Sequence, residues 1–109
     1  MEKNKQTVGR RKAAVARVSI VPGSGSVVVN GKDYKEYFAV DHLVRKIEAV
    51  FTTADVVGKF DVTANVFGGG VKGQAEAIVL GIARSLVNDN AENRPALKKA
   101  KMLRRDARV

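Results

Sequence analysis

Phe60-Asp61-Val62-Thr63-Ala64-Asn65-Val66-Phe67 runs into Gly68-Gly69-Gly70-Val71-Lys72-Gly73-Gln74-Ala75-Glu76-Ala77-Ile78. The first eight residues alternate. Phe60, Val62, Ala64 and Val66 share one side, and Asp61, Thr63, Asn65 and Phe67 the other, which predicts a strand. After the glycines the period changes. Ala75, Ile78, Val79, Ile82, Ala83 and Leu86 form a helical stripe over about Val71 to Val87, and Asn88-Asp89-Asn90 stops it. A strand, a glycine bend and a long amphipathic helix therefore follow one another without a break.

Working toward the N-terminus, Asp41 opens a second predicted helix with apolar positions Leu43, Val44, Ile47, Val50 and Phe51. Asn30-Gly31 is a tight-turn dipeptide, since both residues tolerate positive φ. It separates a short strand at Val27-Val28-Val29 from a short third one expected at Lys32-Asp33, with one helical turn after it near Tyr34 to Phe38. From Ala13 to Val21 the chain alternates again. Ala14, Ala16, Val18 and Ile20 face one way, and Val15, Arg17, Ser19 and Val21 the other. Pro22-Gly23-Ser24-Gly25-Ser26 is loop chemistry, so a hairpin of these two strands is expected. Residues 1–12 are polar, basic and aperiodic, and read as an extended arm. Toward the C-terminus, Pro95 suits the first turn of a last helix with a narrow apolar side of Leu97, Ala100 and Leu103. The expected fold class is α+β, a two-layer sandwich with helices on one face of a sheet. It divides into an arm (1–12), a globular body (13–93) and a basic helix with its exit (94–109).

The chain is 109 residues long, one domain's worth, with 45% hydrophobic residues and a net charge of +9. It has no Cys and one His, His42, which excludes disulfides, a Cys-ligated zinc and a multi-His metal site. No cofactor and no metal are expected. No apolar run reaches a membrane span and no signal-peptide segment opens the chain, so a cytoplasmic protein without a membrane partner is expected. Charge is distributed unevenly. Residues 1–17 hold six Lys and Arg against one acid, and residues 94–109 hold seven against one. Residues 18–93 hold seven against nine. Two basic ends repel themselves and each other, and a polyanion relieves that repulsion. Nucleic acid fits first, ahead of an acidic membrane surface or an acidic protein.

Gly68-Gly69-Gly70-Val71-Lys72-Gly73 also spells G-x-G-x-x-G after a strand and before a helix. A dinucleotide site further needs an acid at the end of a second parallel strand about 20 residues on. Asp89 and Glu92 follow a helix instead, and no Lys-Ser/Thr pair makes a Walker loop. The segment reads as a bend, or as backbone that approaches phosphate closely at a helix start with Lys72 beside it. Arg10-Arg11-Lys12 reads as a phosphate contact by charge and reach. No Ser has a base, Asp55 and Asp61 have no acid–base partner, and the chain shows no catalytic constellation and no aromatic platform for bases.

These residues carry a resemblance. Gly9-Arg10-Arg11-Lys12-Ala13 leading to Ala16-Arg17-Val18, Asn30-Gly31 before Tyr37-Phe38, and the block Gly68 to Ile78 continuing through Gly81-Ile82-Ala83-Arg84-Ser85-Leu86 resemble small ribosomal subunit protein nine. Arg94 to Leu103 and Arg105-Asp106-Ala107-Arg108 resemble its last helix and exit, so the likeness covers the chain in order. It implies a fold like domain two of ribosomal protein five with an extra C-terminal helix. It implies a structural, non-enzymatic protein that binds small-subunit ribosomal RNA in the subunit head and supports translation. Neighbouring ribosomal proteins of the head are the other implied partners. Family members continue past the position of Arg108 into a basic tail that reaches the peptidyl-site tRNA, so tRNA contact is expected only with a longer tail. Many relatives carry Arg where Val79 stands, which implies one RNA contact fewer. The expected RNA-binding residues are Lys3, Lys5, Arg10, Arg11, Lys12, Arg17, Gly68, Gly69, Gly70, Lys72, Gln74, Arg84, Arg94, Lys98, Lys99, Lys101, Arg104, Arg105 and Arg108.

Overall fold

Alternation produces the sheet in a computed structural model that describes residues 6–11, 13–100 and 102–103. The elements are β1 (Gln6–Arg11), β2 (Ala14–Pro22), β3 (Val27–Val29), β4 (Lys32–Asp33), α1 (Tyr34–Tyr37), α2 (Asp41–Thr53), β5 (Phe60–Phe67) and α3 (Val71–Asp89). A 3-10 turn at Ala91–Asn93 leads into α4 (Arg94–Lys99). One sheet has the strand order β1-β2-β5-β3-β4. Only the β3–β5 pair is parallel.

The two-layer α+β reading holds, with two differences in the sheet. Gln6–Arg11, expected as an aperiodic arm, is an edge strand paired antiparallel to β2 from Gln6↔Ser19 to Arg11↔Ala14. Its only buried residue is Gly9, so no apolar alternation exists to announce it. A Cβ on Gly9 would stand 2.0 Å from the Ala77 carbonyl oxygen and 2.6 Å from the Gly81 nitrogen. The strand's inward face is backbone laid against α3. The second difference is that β2 and β3 form no hairpin, because β5 runs between them. Asp61 explains how. One of its carboxylate oxygens accepts from the backbone N–H groups of Ser24, Gly25 and Ser26 at 3.0, 3.1 and 3.0 Å, fastening the loop after β2 across β5.

Those N–H groups stabilise the ionised carboxylate. The Ser26 and Ser24 bonds outweigh the opposing effect of desolvation, and with Gly25 they hold the Asp61 carboxyl below its ordinary range. A depressed folded pKa contributes stability that is complete above the unfolded value and is lost as pH falls through the folded one. Asp61→Asn is therefore expected to lower stability at neutral pH, with the gap from wild type closing as the medium is acidified. Urea midpoints across the acid range check this.

The core is a single apolar cluster. It joins Ala14, Ala16 and Val18 of β2, Val27 and Val29 of β3, and Val62, Ala64 and Val66 of β5 to Leu43, Ile47 and Val50 of α2 and to α3. Helix α3 is buried well beyond its predicted stripe, since Ala77, Leu80, Gly81 and Ser85 are also inside. It lies against β1, β2 and β5 on one side and α2 on the other, so small residues surround it where two layers close in. Val79, 8% exposed, belongs to this core. Helix α4 is anchored by Leu97 and ends at Lys99, short of the expected length.

Candidate nucleic-acid interface

The glycine bend has a structural cause at its first two positions. Gly68 and Gly69 have φ of +78° and +59°. A Cβ on Gly68 would come within 2.4 Å of the Ala13 carbonyl oxygen. Left-handed backbone pressed on β2 requires glycine there. Gly70 differs. It is the N-cap of α3 in extended conformation, no side chain caps the helix, and a Cβ there would meet nothing within 4 Å. The first intrahelical bond is donated by Gln74 to the Gly70 carbonyl. The N–H groups of Val71, Lys72 and Gly73 thus open the helix without a side-chain acceptor, beside the exposed ammonium of Lys72, where the helix dipole favours an anion.

Gln74 braces this end. Its carbonyl accepts from the Tyr37 hydroxyl at 2.8 Å, and its amide donates to the Gly68 carbonyl at 3.0 Å. Arg11, expected to meet phosphate, donates to Glu76 at 2.6 Å, and Lys46 reaches the other oxygen of Glu76 at 3.2 Å. Burial raises the Glu76 pKa, but the Arg11 and Lys46 hydrogen bonds and charges prevail and leave the carboxyl below its usual value. Arg11 therefore spends charge inside the fold. Arg84 does the same, half-buried with its guanidinium donating to the Val8 carbonyl on the sheet edge at 2.8 Å.

The exposed cations of the site set are Arg10, Arg17, Lys72, Arg94, Lys98 and Lys99. The structure sorts them by α3. Strand β1 runs antiparallel to it, since Arg11 meets Glu76, Gly9 meets Ala77 and Gly81, and Val8 meets Arg84. One end of α3 gathers Arg10 and Lys72 around the bend. The other gathers Arg94, Lys98 and Lys99, and there Thr7, Arg84, Asn88, Arg94 and Leu103 line one open cleft. Nineteen helical residues span roughly 28 Å, so the two groups stand at opposite ends of the body. The first residues of β1 and Leu103 meet at that cleft. Lys3, Lys5, Lys12, Lys101, Arg104, Arg105 and Arg108 lie outside the described residues.

Among the described residues no group of acids and His could hold a metal ion, and no helix is long and apolar enough to cross a membrane. What the fold and charge define is a small α+β module with cations at both ends of one buried helix. The family described as "Ribosomal protein S9/S16" matches residues 9–109. The chain is 49% identical over 102 residues to "Small ribosomal subunit protein uS9" of Cytophaga hutchinsonii, covering 94% of this chain and 80% of that one. It is 50% identical over 104 residues to the protein of that name from Salinispora tropica, covering 95% and 68%. With the one from Gemmatimonas aurantiaca the identity is 47% over 108 residues, covering 99% and 84%. The chain belongs to the ribosomal protein S9 family.

Proposed function

We propose that this protein is a structural constituent of the small ribosomal subunit that binds ribosomal RNA in the subunit head and acts in translation, as part of the ribosome. Proteins of this family are structural rather than enzymatic. The observation that carries the reading is the placement of exposed cations at both ends of α3 in a chain of net charge +9. Folded RNA packs phosphates densely, and fixed cations at two separated points offset the repulsion between strands they bridge. Arg10, Arg17 and Lys72 with the uncapped N–H groups after Gly70 serve one strand, and Arg94, Lys98 and Lys99 serve another. Arg11, Gln74 and Arg84 position the elements that carry them. Neighbouring head proteins are further partners, and peptidyl-site tRNA is one only for a longer tail.

Sedimentation tests the reading directly. The tagged chain is expected to travel with small subunits in a gradient and to crosslink to ribosomal RNA near Arg10, Lys72 and Lys99. A chain that sediments apart from subunits overturns it. A substitution separates the anion site from the fold. Gly70→Ser supplies the missing side-chain cap, which relative to Gly contributes a few tenths of a kcal/mol. Its hydroxyl then accepts from one of the N–H groups offered to phosphate. A higher urea midpoint together with weaker RNA binding is expected.

A further inference from the structure

The sheet has one face under the helices and one left open. The open face carries Gln6, Val8 and Arg10 of β1, Val15, Arg17, Ser19 and Val21 of β2, and Asp61, Thr63, Asn65 and Phe67 of β5. Phe67 is 53% exposed, and across the glycine bend Val71 is 52% exposed. The fold leaves an aromatic ring in water beside a helix N-terminus. Register fixes what surrounds it. Arg10, Val15 and Phe67 form one row across the strands, and Val8, Arg17 and Asn65 form the next. Arg17 is thus the diagonal neighbour of Phe67, roughly 7–8 Å away between backbones. Arg10 stands two strands over, roughly 10 Å away. Neither arginine is ion-paired among the described residues.

The acids of this face lie at its other end and are occupied. Asp61, opposite Val21, holds the loop N–H groups, and Asp33, opposite Val28 on β4, accepts from the Lys35 N–H at 3.1 Å. Around Phe67 the face therefore offers an apolar ring, two guanidiniums and the neutral amide of Asn65, with no carboxylate among the described residues. That set complements a nucleotide. A base has a π-face for the ring and a phosphate for each cation, whereas an apolar protein surface would leave both guanidiniums desolvated and unpaired.

We propose that Phe67 stacks on an unpaired base of the small-subunit ribosomal RNA while Arg10 and Arg17 hold the flanking phosphates. The proposal rests on the RNA-binding reading above and adds a base contact to what is otherwise phosphate binding. The chain contains no tryptophan, so Phe67→Trp creates a single reporter in these 109 residues. Titration with small-subunit ribosomal RNA is expected to quench its fluorescence, and inorganic polyphosphate is expected to leave it unchanged. Phe67→Ala is expected to weaken RNA binding by roughly tenfold, within the range that loss of one stacked base gives, with an unaltered slope of log affinity against log salt. Salt-dependent binding by both variants with no quenching and no loss of affinity overturns the stacking alone. A photocrosslinker at position 67 that captures a neighbouring protein in assembled subunits overturns it as well. Absence of RNA binding by wild type overturns both this proposal and the reading beneath it.

Discussion

Gly9→Ala is expected to destabilise this protein by roughly 3 kcal/mol, the upper end of what overpacking a core costs. The added methyl would point at the Ala77 carbonyl oxygen and the Gly81 nitrogen, at 2.0 and 2.6 Å. Both are backbone atoms of a buried helix, so no side chain can rotate away. Relief requires β1 and α3 to separate. Separation stretches the Arg84 bond to Val8 and the Arg11 bond to Glu76, which join the same two elements. Moving α3 the other way is blocked, because it is held by α2. A domain of this size has about 5–15 kcal/mol in total, so the loss is a large fraction. Gly73→Ala is the control. Its methyl would meet only the Ala14 Cβ and the Arg11 carbonyl oxygen, both at 3.7 Å, an ordinary contact. Alanine is the better helix former by about 0.8–1 kcal/mol, so a small gain is expected. Urea unfolding of the two variants should show midpoints displaced in opposite directions. A Gly9→Ala midpoint equal to wild type would refute the close approach.

The same glycine shows what could and could not be read beforehand. Strands β2 and β5 and helices α2 and α3 were legible because each buries a periodic row of apolar side chains. The Asn30-Gly31 turn was legible because both residues take positive φ, here +50° and +83°. Strand β1 was not, since its buried side is a single hydrogen atom on Gly9 and periodicity has nothing to detect. The insertion of β5 between β2 and β3 depends on Asp61 and on Asn30. The Asn30 amide donates to the Val66 carbonyl at 3.0 Å while its oxygen accepts from the Val66 N–H at 2.8 Å. Both are contacts across 35 or more residues, and no local pattern carries them. In the site, residue type announced charge but not availability. Arg11 and Arg84 look like Arg10 and Arg17 in sequence, and only the fold shows which guanidiniums are committed to Glu76 and Val8. Phe67 sat on the polar side of an alternating strand, a signal that an aromatic ring faces outward.

Replacing Arg94, Lys98 and Lys99 together by alanine is expected to flatten the salt dependence of RNA binding while leaving the fold in place. The stability half follows from packing. Leu97 is the buried residue of α4, and all three cations are exposed. Their removal takes away no core contact. Arg94 and Lys98 stand one turn apart on the helix surface, and like charges at that spacing oppose the helix by a few tenths of a kcal/mol. Lys98 and Lys99 in the last turn favour its dipole by a similar amount, so the terms nearly cancel and the urea midpoint should hardly move. The binding half follows from counterion release. Each neutralised phosphate adds roughly 0.7–0.9 to the slope of log affinity against log salt, so three lost contacts should lower its magnitude by about 2. Arg84→Ala separates this from a structural effect. It removes the bond to Val8, so it should lower the midpoint and change the slope little. The two variants therefore exchange signatures, one losing electrostatics with stability intact and the other the reverse. A triple variant whose slope matches wild type would show that α4 does not meet phosphate, and would confine the RNA interface to the glycine-bend end of α3.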